Sequence, residues 1–100
     1  MKIALDYDKT FTADKALFSS FVRLVKSKGH EIRFVTFRKS NKPNLDIKSD
    51  ARRLGIKIIF TDEKQKSPST INQGWKPDIW VDDDPSKIPG STGLSSISSI

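Results

Sequence analysis

A chain of 100 residues with 18 Lys and Arg against 12 Asp and Glu, a net charge of +6 and no cysteine fits one domain around one hydrophobic core. The missing cysteines exclude a disulfide framework, a thiolate metal site and a thiol nucleophile. No run of eighteen apolar residues occurs, and the first residues lack the basic, apolar and small-residue order of a secretory leader, so the expectation is a cytoplasmic protein with no membrane partner.

In chain order, KIALDYD (residues 2–8) is an apolar run that stops at Asp6 and Asp8, as a central parallel strand does at its C-terminal end. After Asp14, residues Leu17, Phe18, Phe21, Val22, Leu24 and Val25 recur at helical spacing, and Gly29 follows as a stop. EIRFVT (residues 31–36) reads as a second strand ending in a hydroxyl. Asn44 to Leu54 reads as a second helix, preceded by Pro43 and closed by Gly55. Ile56 to Phe60 is a third strand, and Thr61 to Ser67 a polar loop. Ser67 and Pro68 then look like the cap and first turn of a helix reaching Gln73. Ile79 to Val81 is a fourth strand, running into Asp82, Asp83 and Asp84.

Strands alternating with helices at this spacing imply a Rossmann-like α/β fold, three layers deep, with about four parallel strands. Residues 1–90 form the core, and the serine-rich 91–100 a tail. Ligands of such sheets sit beyond the C-terminal strand ends, where the strand order reverses. Asp6 and Asp8, Thr36, and Asp82 to Asp84 all fall on that rim. Several carboxylates gathered there repel one another unless a hard cation joins them, and oxygen donors of this kind suit Mg²⁺. Five of the twelve acids lie in the two runs, so only seven balance the 18 basic residues elsewhere. An acidic spot on a basic body attracts phosphate-bearing partners.

These residues resemble the motifs of the haloacid-dehalogenase-like hydrolase superfamily over roughly residues 2 to 90. ALDYDKT (4–10) is similar to its Asp-x-Asp-x-Thr motif, Thr36 in FVTFR to its second, and Asp82-Asp83 in DIWVDDDP to its fourth. The loop TDEKQK points to Lys66, with Lys64 as the rival, for its single lysine. The resemblance implies a Mg²⁺-dependent phosphatase. Asp6 would be the nucleophile forming an aspartyl-phosphate, and Asp8 the proton shuttle and a metal ligand through its carbonyl. Thr36 and Lys66 would hold the phosphate, while Asp83 would bind the metal directly and Asp82 would take a bridging or outer role. Lys9 stands where the family commonly has glycine, and neither lid position has room for an insertion, so the member implied lacks a cap.

Other readings stay open. Arg38 could grip a substrate phosphate bidentately or lie exposed on the surface. Asp84 reads better as a cap before Pro85 than as a ligand. Trp75 and Trp80 could stack on a base, although Trp80 inside a strand favours the core. The expected substrate carries an accessible phosphate, with a nucleotide or nucleic-acid end as one option. A different class of function is a non-catalytic module whose basic residues, among them Lys39, Lys42, Arg52 and Arg53, hold nucleic acid or a protein partner. A phosphate-receiver domain is disfavoured, because its phosphorylated carboxylate belongs on a middle strand.

Overall fold

Side chains alternate across a strand, and in this chain that alternation sorts the apolar residues into two cores. The computed structural model describes residues 1–90, with four strands: β1 (Lys2–Leu5), β2 (Glu31–Thr36), β3 (Lys57–Phe60) and β4 (Ile79–Val81). Ile3 and Leu5 of β1, Ile32 and Phe34 of β2 and Val81 of β4 turn to one face of the sheet. There they meet Val22 and Val25 of α1 (Lys15–Ser27) and Ile47, Ala51 and Leu54 of α2 (Leu45–Leu54). Ala4, Val35, Ile59 and Trp80 turn to the other face and pack with Trp75 and Ile88, on the side of α3 (Lys66–Asn72). Both tryptophans are thus core residues, 3% and 1% exposed. Fully burying a large apolar side chain contributes about 1.5–3 kcal/mol, so each face is held by several such contributions.

The sheet is parallel throughout, in the order β3-β2-β1-β4, with helices on both faces: the Rossmann-like three-layer fold. The chain leaves β1 towards β2 on one side and returns to β4 on the other. The strand order therefore reverses between β1 and β4, which opens the crevice where such sheets take ligands. No helix among the described residues is long and apolar enough to cross a membrane. Residues 91–100, read from sequence as a tail, lie outside the described part.

Boundaries follow from local chemistry. Asp14 caps α1 by accepting a hydrogen bond from the Leu17 amide at 3.0 Å. Gly55 ends α2 at φ +68, and Lys26 donates to the carbonyls of Leu54 and Gly55 at 2.9 Å each, closing the free end of the helix. A Cβ at Gly55 would lie 2.9 Å from that Lys26 Nζ, so both conformation and space favour glycine. Strand β1 ends at Leu5, where the apolar run meets the acids, and Asp6 to Asp8 lie in the turn beyond it. Three elements depart from the sequence reading. Strand β3 begins at Lys57 rather than Ile56. Asn44 precedes α2 in a left-handed conformation, its amide donating back to the carbonyls of Lys39 and Lys42. Helix α3 begins at Lys66 rather than at a Ser67 cap, because Lys66 is drawn under the sheet edge by ion pairs and Ser67 instead donates its amide to the Ile88 carbonyl.

Candidate functional site

The register of β1 against β4 builds the site. Leu5 pairs with Val81, and the Asp6 amide donates to the Val81 carbonyl at 2.9 Å, so the first residue after each strand, Asp6 and Asp82, emerges side by side. One carboxylate oxygen from each of Asp6, Asp82 and Asp83 lies within 4.8 Å of the others. Asp6 and Asp82 are buried, whereas Asp83 is exposed. Acids 76 residues apart in sequence thus become neighbours through strand pairing alone.

Lys66 stands between the two buried acids. Its ammonium, on a side chain 2% exposed, donates to Asp6 Oδ1 at 2.8 Å and to Asp82 Oδ2. The other Asp82 oxygen accepts the Asp84 amide at 2.9 Å. Thr10 ties the rest together: its hydroxyl lies 3.1 Å from Asp6 Oδ2 and 3.0 Å from Asp83 Oδ1, and accepts from the Asp83 amide at 3.0 Å. A hydroxyl has one proton, so it serves one of those carboxylates at a time and the other is short of a donor. Burial, the largest influence, together with the Asp82 charge pushes the Asp6 carboxyl up to about 7 against the pull of Lys66. One ammonium among three carboxylates is an electrostatic deficit, and the donor set is all hard oxygen. It fits a divalent cation of the Mg²⁺ type held by Asp6 and Asp83, with Asp82 committed to Lys66.

Beside this cluster a cleft of about 140 Å³ opens, walled by Asp6, Asp8, Lys9, Phe37, Lys66, Asp82, Asp83, Asp84 and Lys87. A more apolar depression of about 210 Å³, with Ala13, Phe18 and Val81 in its wall, adjoins it and shares Lys9, Asp82 and Asp83. Lys9 sits at φ +64, in the left-handed region that glycine enters without strain, and its amide donates to the Thr12 hydroxyl at 2.9 Å.

The residues singled out from sequence fall into two groups. Asp6, Lys66, Asp82 and Asp83 are joined in the cluster, and Asp8 lies on the cleft wall with its side chain half exposed. Thr36, at the end of β2, is 1% exposed, and its hydroxyl accepts the Arg38 amide at 3.3 Å; it is not part of the cleft wall. The bidentate geometry considered for Arg38 exists, but its partners are Asp8 and Asp46. Lys64, the rival of Lys66, is exposed. Asp84 caps the short helical turn Pro85–Lys87 by accepting the Ser86 amide, and it also borders the cleft. Sequence reasoning gave no role to Thr10, Phe37 or Lys87. For Thr10 the signal was its place four residues after Asp6; Phe37 and Lys87, where the Lys87 ammonium lies 4.9 Å from the Phe37 ring centroid, gave none.

Comparison with protein-family models, with curated proteins and with solved structures finds no match for this chain.

Proposed function

We propose that the chain is a Mg²⁺-dependent phosphomonoester hydrolase working through an aspartyl-phosphate on Asp6. The observation that carries this reading is the meeting of Asp6, Asp82, Asp83 and Lys66 at the β1–β4 crevice. Phosphoryl transfer asks mainly for positioning and charge neutralisation, and this cluster offers a carboxylate nucleophile beside a buried ammonium.

In the proposed reaction an Asp6 oxygen attacks phosphorus while the bond to the leaving oxygen breaks and Asp8 gives that oxygen a proton. Asp8, now a carboxylate, then takes a proton from water as the water oxygen attacks phosphorus and releases Asp6. Lys66 neutralises charge on Asp6 and on the phosphoryl group throughout. Thr10 holds Asp6 and Asp83 in a fixed relation. Asp6 and Asp83 are the residues that would bind Mg²⁺, which when bound screens their repulsion and polarises a phosphoryl oxygen. A phosphorylated substrate with an accessible end, a nucleotide or nucleic-acid end among them, suits the open cleft with Lys9 and Lys87 in its wall.

The test is phosphate release from p-nitrophenyl phosphate with Mg²⁺, with EDTA and in Asp6→Asn. Turnover that needs Mg²⁺ and falls at least about 10³-fold in the variant is expected, as for loss of a covalent nucleophile. No turnover by the wild type across a panel of phosphate esters, with salt-sensitive nucleic-acid binding that survives Asp6→Asn, would replace this reading by the basic binding module.

A further inference from the structure

A guanidinium carries five N–H groups in a rigid fork, and in Arg38 every one of them is engaged. Nε donates to Asp8 Oδ2 at 2.9 Å and Nη2 to Asp8 Oδ1 at 2.7 Å. The other edge is also bidentate, with Nη2 to Asp46 Oδ2 at 2.9 Å and Nη1 to Asp46 Oδ1 at 2.7 Å. The remaining N–H of Nη1 points at Asn44 Oδ1, 3.5 Å away. Below lies the Tyr7 ring, its centroid 5.2 Å from the guanidinium carbon, which gives the fork a flat floor. Hydrogen bonding to Arg38 brings the Asp46 carboxyl down to about 2, so the outer anchor stays charged across the working pH range.

This arrangement differs from a surface ion pair in its consequence. Asp46 sits in the first turn of α2, and Tyr7 is buried in the core, so Arg38 is fixed from two sides before it meets Asp8. The Asp8 side chain is half exposed on the cleft wall and has no other hydrogen-bond partner among the described residues. Each Asp8 oxygen gives one lone pair to Arg38 and keeps a second. The fork selects one orientation for a carboxylate that a half-exposed aspartate would otherwise sample freely.

We propose that Arg38 is a positioning residue for Asp8: held by Asp46, Asn44 and Tyr7, it fixes the Asp8 carboxyl group at the cleft wall, so that the proton on a lone pair not engaged by Arg38 faces the place where the leaving oxygen departs. The inference rests on the phosphatase reading above. With no N–H left over, Arg38 makes no contact with the substrate phosphate. Its contribution is to the proton transfer by Asp8, which matters most for esters whose leaving oxygen needs that proton.

The experiment compares Arg38→Ala and Arg38→Lys with the wild type on p-nitrophenyl phosphate, a good leaving group, and on an alkyl phosphate, a poor one. Loss of an oriented acid removes about 10²-fold or more in kcat for the alkyl ester and only a few-fold for the nitrophenyl ester, with KM within about threefold. Lysine should not restore the loss, because a single ammonium cannot reproduce the fork. Free guanidinium at sub-denaturing concentration should restore part of the alkyl-ester rate of Arg38→Ala. If Arg38→Ala does not fold, Asp46→Ala, which leaves the Asp8 side of the fork intact, should give a smaller loss with the same leaving-group dependence. A raised KM at unchanged kcat would make Arg38 a substrate ligand and overturn the proposal. Equal losses on the two esters would make it structural, with the phosphatase reading left standing. Absence of turnover by the wild type would overturn both.

Discussion

Replacing Lys66 by methionine keeps an unbranched apolar side chain one atom shorter and removes the ammonium. Lys66 and Asp82 are each 2% exposed at the side chain and Asp6 8%, so the charge removed is one that water cannot replace. Two buried carboxylates are left facing each other, with the Thr10 hydroxyl and the Asp84 amide as their remaining donors. Removing one member of a buried pair destabilises by about 3–5 kcal/mol, and here one ammonium serves two partners, which places Lys66→Met at the upper end. Against a domain stability on the order of 5–15 kcal/mol this is a large fraction, a fall in Tm of at least about 12 °C. Urea unfolding at pH 8 in EDTA measures it directly, with Lys64→Met as the control. Lys64 is exposed two residues upstream, and its loss should stay within about 0.5 kcal/mol. Saturating Mg²⁺ should recover part of the Lys66→Met deficit, since a cation beside Asp6 and Asp83 relieves the same repulsion. A Lys66→Met protein within about 1 kcal/mol of the wild type at pH 8 would refute the buried ion-pair cluster itself.

The Asp6 carboxyl, raised from 3.8 to about 7, binds its proton more tightly folded than unfolded. Its contribution to stability is therefore fully present below about pH 4 and is lost as the pH rises through about 7, by at most roughly 4 kcal/mol. In EDTA the wild type should lose stability between pH 5 and pH 8 while Asp6→Asn stays flat; parallel curves for the two proteins would remove Asp6 as the source. On the other face of the same turn, the Tyr7 hydroxyl donates to Asp50 Oδ2 at 2.5 Å, and Lys15 and Arg53 join that carboxylate at 2.9 and 3.2 Å. Burial pushes Asp50 up, but these three donors outweigh it and hold it below its usual range. Tyr7→Phe should destabilise by about 1.5–3 kcal/mol in urea unfolding, and Asp50→Ala by more because three donors lose their acceptor; an unchanged midpoint in Tyr7→Phe would show that the bond contributes nothing net.

Apolar runs alternating with helically spaced segments made the architecture legible, and the period of two within the strands then sorts the core. Ile3 and Leu5 against Ala4, and Ile32 and Phe34 against Val35, divide the core in the structure as the period of two requires. The meeting of Asp6 with Asp82 was legible as well, because parallel strands of an α/β sheet end on one rim and only the strand order was missing. What local pattern could not supply was the choice among contacts between distant residues. Ser67-Pro68 carries a strong helix-start signal, yet ion pairs across 60 and 16 residues draw Lys66 into the first turn and override it. Arg38 reaches Asp8 across 30 residues, and nothing in its neighbourhood distinguishes that from an open surface position. Trp75 was open to stacking on a base by its type alone, but the second core takes it in.

The turn Asp6-Tyr7-Asp8 joins these threads. Alternation sends Asp6 and Asp8 to the cleft and Tyr7, 0% exposed, into the larger core, where it stacks on Phe11 and meets the edge of Phe34. Tyr7 is bonded through Asp50 to α2 and lies under the guanidinium that fixes Asp8. The backbone of neither acid can shift without moving the packed Tyr7 ring, and close-packed interiors resist such shifts. A turn at the mouth of the cleft, with only Asp8 exposed, is thereby tied to the core. It is this coupling that, in the proposed enzyme, would hold the two candidate catalytic carboxylates in place with no lid inserted among the described residues: the positioning that a closing lid gives elsewhere would come from the core side of the turn, away from the cleft.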